Sequence, residues 1–138
     1  MEQPSVLVVD DSPTILRFVE DLLSNCLVES CDSWTSANRQ IHSAPPAAIV
    51  LDENLGGFKG SYLVRAIRLF FPTIPIVIMS SEACAKQAKD AGANAYVPKQ
   101  ALDSLPRVVQ HLLATTTPET CQIEPALGGL MCSCGAAA

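Results

Sequence analysis

The chain has 138 residues, 49% of them hydrophobic and 17% charged, with a formal net charge of −5. That length suits one domain with a full core, and that balance excludes a disordered chain. The acidic excess, with no lysine or arginine cluster, argues against direct nucleic-acid binding, and no apolar run approaches the roughly 20 residues of a membrane span. The N-terminal MEQPS has neither the basic flank nor the apolar stretch of a secretory leader, so a cytoplasmic setting is expected.

In chain order, SVLVV (5–9) is continuously apolar, the mark of a strand buried on both faces. It runs into two adjacent carboxylates, Asp10 and Asp11, and then into Ser12 and Pro13, a helix cap and a proline suited to the first helical position. Ile15, Leu16, Val19, Leu22 and Leu23 recur at helical spacing. CLVESC (26–31) predicts a shorter strand, with Cys26 and Cys31 on opposite sides of it, and a weak helix follows near 34–43. AAIVL (47–51) predicts a second buried strand ending at Asp52. The loop ENLGGFKG then leads into a helix carrying Leu63, Ala66, Ile67 and Phe70.

Pro72 and Pro75 close that helix, and IVIM (76–79) predicts the third buried strand. An alanine-rich helix is expected over 82–91, stopped by Gly92, and a short strand NAYV (94–97) ends near Lys99. Leu102, Leu105, Val108, Val109, Leu112 and Leu113 give the last helix a wide apolar stripe. The domain is expected over 4–114. The tail, 115–138, has no periodicity and is expected to be poorly ordered or a remnant of cloning.

The pattern is five repeats of strand then helix, which demands an α/β fold with a doubly wound parallel sheet covered on both faces. Ligands in such sheets bind at the carboxyl ends of the strands, where Asp10, Asp11, Asp52, Ser80 and Lys99 all fall. Three carboxylates at one sheet edge form a hard oxygen site of the kind magnesium prefers. A carboxylate beside that cation is a feasible nucleophile toward phosphorus, while Ser80 and Lys99 offer a hydroxyl and a point charge to phosphoryl oxygens.

At this point the sequence resembles a known family, the receiver domain of two-component response regulators, and the chemotaxis-type single-domain receivers among them. The matching segments are VLVVDDSPT, IVLDENLGGFKG, PIVIMSS and GANAYVPK, in order and over roughly residues 4–114. The resemblance implies a flavodoxin-like five-stranded sheet of order 2-1-3-4-5. It also implies a phosphorylation-controlled switch. Asp52 is the implied phosphoacceptor, receiving its group from a histidine kinase or a phosphotransfer protein. Asp10, Asp11, Asp52 and the Asn54 backbone carbonyl are implied magnesium ligands.

Ser80 and Lys99 match the hydroxyl and the lysine that receive the phosphoryl group, and Tyr96 matches an aromatic switch. Asn54 with Glu82 matches the pair that tunes dephosphorylation, implying a short-lived signal. An unidentified output protein is expected on the last two helices and last strand, with no membrane or direct nucleic-acid partner. Gln100 and Gly56 stand where the family usually has proline, and the interval from Ser80 to Gly92 is nearly one helical turn short.

Other readings use the same residues differently. The chain could be a receiver that binds partners without phosphate, or one excised from a larger regulator or hybrid kinase. A magnesium-dependent phosphohydrolase would need an acid where Asn54 stands, and a cap domain this chain is too short to supply. His42 and His111 lie in predicted helices without ligand partners and are expected at the surface. The six cysteines make no disulfide framework; Cys132 and Cys134, with Cys121 nearby, could recruit a soft metal, although tetrahedral zinc wants four ligands at defined spacing.

Overall fold

The structure, a computed structural model, describes residues 3–115 and the short strand Met131–Cys132. Four five-residue strands make up most of the sheet, with β2 at one edge: β1 (Ser5–Val9), β2 (Leu27–Cys31), β3 (Ala48–Asp52) and, after a small hairpin of β4 (Asn54–Leu55) and β5 (Phe58–Lys59), β6 (Ile76–Ser80). The last parallel strand is β7 (Ala95–Pro98), and β8 (Met131–Cys132) pairs antiparallel along its outer edge. The sheet order is β2-β1-β3-β6-β7-β8. With the hairpin and β8 set aside, this is the expected parallel order 2-1-3-4-5.

The pleat sorts side chains to two cores. Val6, Val8, Val50, Val77 and Val97 face one side, where α1 (Pro13–Leu22) and α5 (Leu105–Ala114) cover them with Val19, Leu105, Val108, Val109 and Leu112. Leu7, Val9, Ile49, Leu51, Ile76 and Ile78 face the other side, under α2 (Trp34–Ser43), α3 (Gly60–Phe70) and α4 (Ala85–Ala91). Because both faces are covered, β1, β3 and β6 read as continuous apolar runs rather than alternating ones. Cys26 packs against the first core and Cys31 against the second, as their odd spacing requires.

Local signals act where the sequence places them. The Ser12 hydroxyl accepts the Ile15 amide at 3.4 Å with Pro13 opening α1, and Ser33 caps α2 by accepting the Ser36 amide at 3.3 Å. Gly92 closes α4 with φ +106°.

Three expectations need correction. The fourth helix starts at Ala85 rather than residue 82 and runs for 7 residues. A 3-10 segment over Lys99–Ser104 precedes α5, so Leu102 lies outside the α-helix. His42 is exposed, but its ring packs edge-on against Phe70 and Phe71 at centroid distances of 5.2 and 5.1 Å. His111 is half-buried rather than at the surface. The tail assignment for 116–130 and 133–138 lies outside the described residues. Among the described residues, no helix is long and apolar enough to cross a membrane.

The end of α3 is fastened by one side chain. Arg68 donates from Nε to the Gly92 carbonyl at 3.0 Å and from Nη1 to the carbonyls of Phe71 at 3.0 Å and Ile74 at 2.7 Å. Its Nη2 reaches Asn94 Oδ1 at 2.6 Å, an atom that also accepts the Ile76 amide at 2.8 Å. The planar fork thus joins α3, the start of β6 and the approach to β7.

Candidate phosphoryl and metal site

Asp10 follows β1 and Asp52 ends β3, neighbouring strands at the centre of the sheet, so their carboxyls emerge side by side. Asp10 is fully buried and Asp52 nearly so at 3% exposure, while Asp11 is exposed. One oxygen from each of Asp10, Asp11 and Asp52 lies within 4.8 Å of the others. Lys99, just past the end of β7, sets its ammonium 2.9 Å from Asp10 Oδ2 and 3.1 Å from Asp52 Oδ1. Asp10 Oδ1 accepts the Ser12 amide at 2.8 Å, which aims the carboxylate and starts α1. The other oxygen, Oδ2, is buried, and among the described residues the Lys99 ammonium is the one polar group set against it.

Burial and the neighbouring Asp10 charge push the Asp52 carboxyl above its ordinary value. The hydrogen bond and charge of Lys99, with the Asn54 amide, offset part of that rise. For Lys99, burial pulls downward, but the hydrogen bonds and charges of Asp10 and Asp52 together outweigh it and raise its pKa. Two buried anions therefore share one cation. Three converging carboxylates, one of them with a buried oxygen met by the Lys99 ammonium alone among the described residues, fit a hard divalent cation such as magnesium.

A second network surrounds Glu82, in the loop between β6 and α4. Its amide donates to the buried Ser80 hydroxyl at 3.0 Å, and its carbonyl accepts the Tyr96 hydroxyl at 2.8 Å. Its side chain accepts from Asn54 Nδ2 at 3.2 Å, and Asn54 Oδ1 in turn accepts from Lys59 Nζ at 2.9 Å. Tyr96 is buried at 6% exposure, and burial raises its hydroxyl pKa. Beside this network a groove of about 420 Å³ runs between α3 and α4, lined by Lys59, Tyr62, Glu82 and Cys84 among others.

The predicted residues thus separate into two groups. Asp10, Asp11, Asp52 and Lys99 converge. Ser80, Glu82, Tyr96 and Asn54 form an adjoining network in which Ser80 turns to Glu82 rather than to the acids. The Lys99–Gln100 peptide is trans, as the missing proline leads one to expect, and Gln100 Nε2 donates to the Ser81 carbonyl at 3.3 Å.

Two participants were not anticipated. Glu53, buried at 6% exposure, accepts the Ser61 amide at 2.9 Å and the Ser61 hydroxyl at 3.3 Å, fixing the start of α3 beside Asp52. Gly60 packs so closely there that a Cβ would lie 2.6 Å from the Asp52 carbonyl oxygen.

The sequence matches the profile of the response regulator receiver domain over residues 6–110. The chain belongs to this family. It is 32% identical over 102 residues to the chemotaxis protein CheY of Pseudomonas aeruginosa, covering 68% of this chain and 82% of that protein. It is 30% identical to a protein-glutamate methylesterase/protein-glutamine glutaminase of a Nocardioides species, of which it spans 36% while 89% of this chain is matched. Among solved structures, the receiver domain of NtrX from Brucella abortus superposes with a TM-score of 0.74 at 29% identity, covering 80% of this chain and 98% of that one. As a receiver domain, the chain is a two-component signalling module with the flavodoxin-like fold, and its acid cluster is compatible with magnesium.

Proposed function

We propose that this receiver is a phosphorylation-controlled switch whose phosphoacceptor is Asp52. The observation that carries the reading is the Lys99 ammonium shared between Asp10 at 2.9 Å and Asp52 at 3.1 Å, beside three converging carboxylates. Asp10, Asp11, Asp52 and the Asn54 carbonyl are the residues that would hold magnesium, which when bound screens the approach of two anions and neutralises developing charge.

An Asp52 oxygen attacks the phosphorus of a phosphohistidine on a histidine kinase or phosphotransfer protein, and the P–N bond breaks with its electron pair returning to the imidazole. Lys99 then has a phosphoryl oxygen to pair with in place of the bare carboxylate. Ser80, whose hydroxyl holds the Glu82 amide, is the donor within the chain that can turn toward the new group. That turn releases Glu82, and with it the Tyr96 hydroxyl, so the surface around β7, α4 and α5 changes for an output protein. Water later returns Asp52 to the carboxylate, so the chain acts on its own acyl phosphate and turns over no external substrate.

Mass spectrometry after treatment with acetyl phosphate and magnesium tests the reading. Wild type should gain one phosphoryl group, and Asp52→Asn should gain none. Equal labelling of both proteins would overturn the assignment.

A further inference from the structure

Gly56, where the resemblance leads one to expect proline, is followed by Gly57. Both adopt positive φ, +53° and +90°, and together they form the two-residue loop of a hairpin pairing Leu55 with Phe58 and Asn54 with Lys59. Positive φ at both loop positions is the pattern of the tight turn favoured in hairpins, and proline at position 56 cannot adopt it. The hairpin register sets Lys59 directly opposite Asn54, and its ammonium reaches Asn54 Oδ1 at 2.9 Å. Asn54 Nδ2 then holds Glu82 Oε1 at 3.2 Å. A departure in the loop thus builds a chain of three exposed side chains that starts two residues past Asp52 and links the segment after β3 to the loop after β6.

We propose that Lys59 is a positioning residue that acts through Asn54 to prolong the life of the phosphoryl group on Asp52. The inference rests on the acceptor role proposed above. Loss of the group requires a water oxygen to attack phosphorus opposite the Asp52 oxygen. The P–O bond to Asp52 then breaks, its electron pair returns to the carboxylate, and inorganic phosphate leaves with the water's second proton passing to solvent. Lys59 and Glu82, the two partners of the Asn54 side chain, also line an open groove between α3 and α4. A rim side chain speeds the step when a free oxygen acceptor orients the water. Asn54 stands two residues from Asp52, and its amide oxygen is taken by Lys59 while its amide nitrogen is committed to Glu82. With Lys59 in place, one lone pair of that oxygen is engaged and the amide is pinned between Lys59 and Glu82, which restricts its swing toward the water. Without it, the oxygen is released.

The test uses the full chain, phosphorylated with acetyl phosphate and magnesium and then freed of donor, with loss of the phosphoryl mass followed in time. Lys59→Met should decay faster than wild type by about 2- to 12-fold, the span of one ordinary hydrogen bond. Lys59→Arg, which keeps a charged donor, should stay near the wild-type rate. Gly56→Pro, which breaks the hairpin but keeps every charge, should accelerate like Lys59→Met. In both accelerated variants the Asn54 side-chain amide resonances should move in nitrogen-correlated spectra of the unphosphorylated protein. Decay of Lys59→Met at the wild-type rate overturns the proposal while leaving the acceptor in place. Acceleration in Lys59→Met with Gly56→Pro at the wild-type rate assigns the effect to charge and overturns the hairpin clamp. Absence of any phosphoryl mass on wild type overturns the acceptor reading, and the clamp with it.

Discussion

Gly60 opens α3 directly against the end of β3 at Asp52, and replacing it with alanine tests how tightly the site is built. The added Cβ would lie 2.6 Å from the Asp52 carbonyl oxygen, 2.9 Å from Glu53 Cα and 3.1 Å from Glu53 Oε1. Two of these neighbours are backbone, and the third is a carboxylate held by both the amide and hydroxyl of Ser61, so none swings away freely. The Asp52 carbonyl would have to retreat from 2.6 Å to the 3.4 Å of ordinary contact. Overpacking of this kind costs about 1–3 kcal/mol. Alanine returns only part of this, about 0.4–1 kcal/mol, by stiffening the unfolded chain. Gly60→Ala should therefore lower the urea midpoint at unchanged slope, with a net loss of up to about 2.5 kcal/mol. The same displacement reaches the Asp52 carboxyl, and misplacement approaching 1 Å costs on the order of 100-fold in a positioned reaction. Acetyl phosphate labelling should slow accordingly. An unchanged or raised midpoint, with labelling at the wild-type rate, would refute the claim that this helix start and Asp52 are locked together.

Asp52→Asn should be more stable than wild type at neutral pH without magnesium. Its carboxyl is raised in the folded state, so the folded protein loses stability as pH climbs from the ordinary carboxylate range through that raised value, and the amide removes the loss. Thermal melts at pH 3.5 and 7.5 should show the gap opening at the higher pH, and a gap that closes would reverse the sign assigned here. Arg68→Met should cost at least about 2 kcal/mol, because several carbonyls lose a charged donor at once; a melt within error of wild type would mean water replaces them. Amide exchange over 81–92 should exceed that of the other helices, and beryllofluoride, which stands in for the phosphoryl group on Asp52, should change it most. Protection there equal to that of α5 in both states would place the moving part elsewhere.

Much of the fold could be read from the sequence because the central strands are buried on both faces and advertise themselves as unbroken apolar runs. Asp10, Asp52 and Lys99 were equally legible, since each sits where such a run stops. The start of α4 was not. Alanine over 82–91 favours helix, but the Ser80 hydroxyl takes the Glu82 amide and the Tyr96 hydroxyl takes its carbonyl. Both backbone groups of Glu82 are thereby engaged by side chains, and the helix begins three residues later. The β4–β5 hairpin did leave a signal, two glycines between Leu55 and Phe58, although ENLGGFKG reads first as a plain loop. Glu53 and Arg68 left none, because their partners are set by tertiary approach rather than by any fixed spacing.

The two edges of the sheet are protected by different means. On β2, Glu29 and Ser30 are exposed, and the Ser30 hydroxyl donates to Glu20 at 2.5 Å, so a charged, hydrogen-bonded rim discourages another chain from stacking there. On β7 the chain supplies its own neighbour, Met131–Cys132, antiparallel to Ala95 and Tyr96. If that neighbour is removed, the uncovered edge is a strand of 4 residues ending in Pro98, which has no amide to offer a newcomer. Shortening the C-terminus therefore strips a cover without leaving a long template for fibril growth. The bare edge is too brief to recruit a stack.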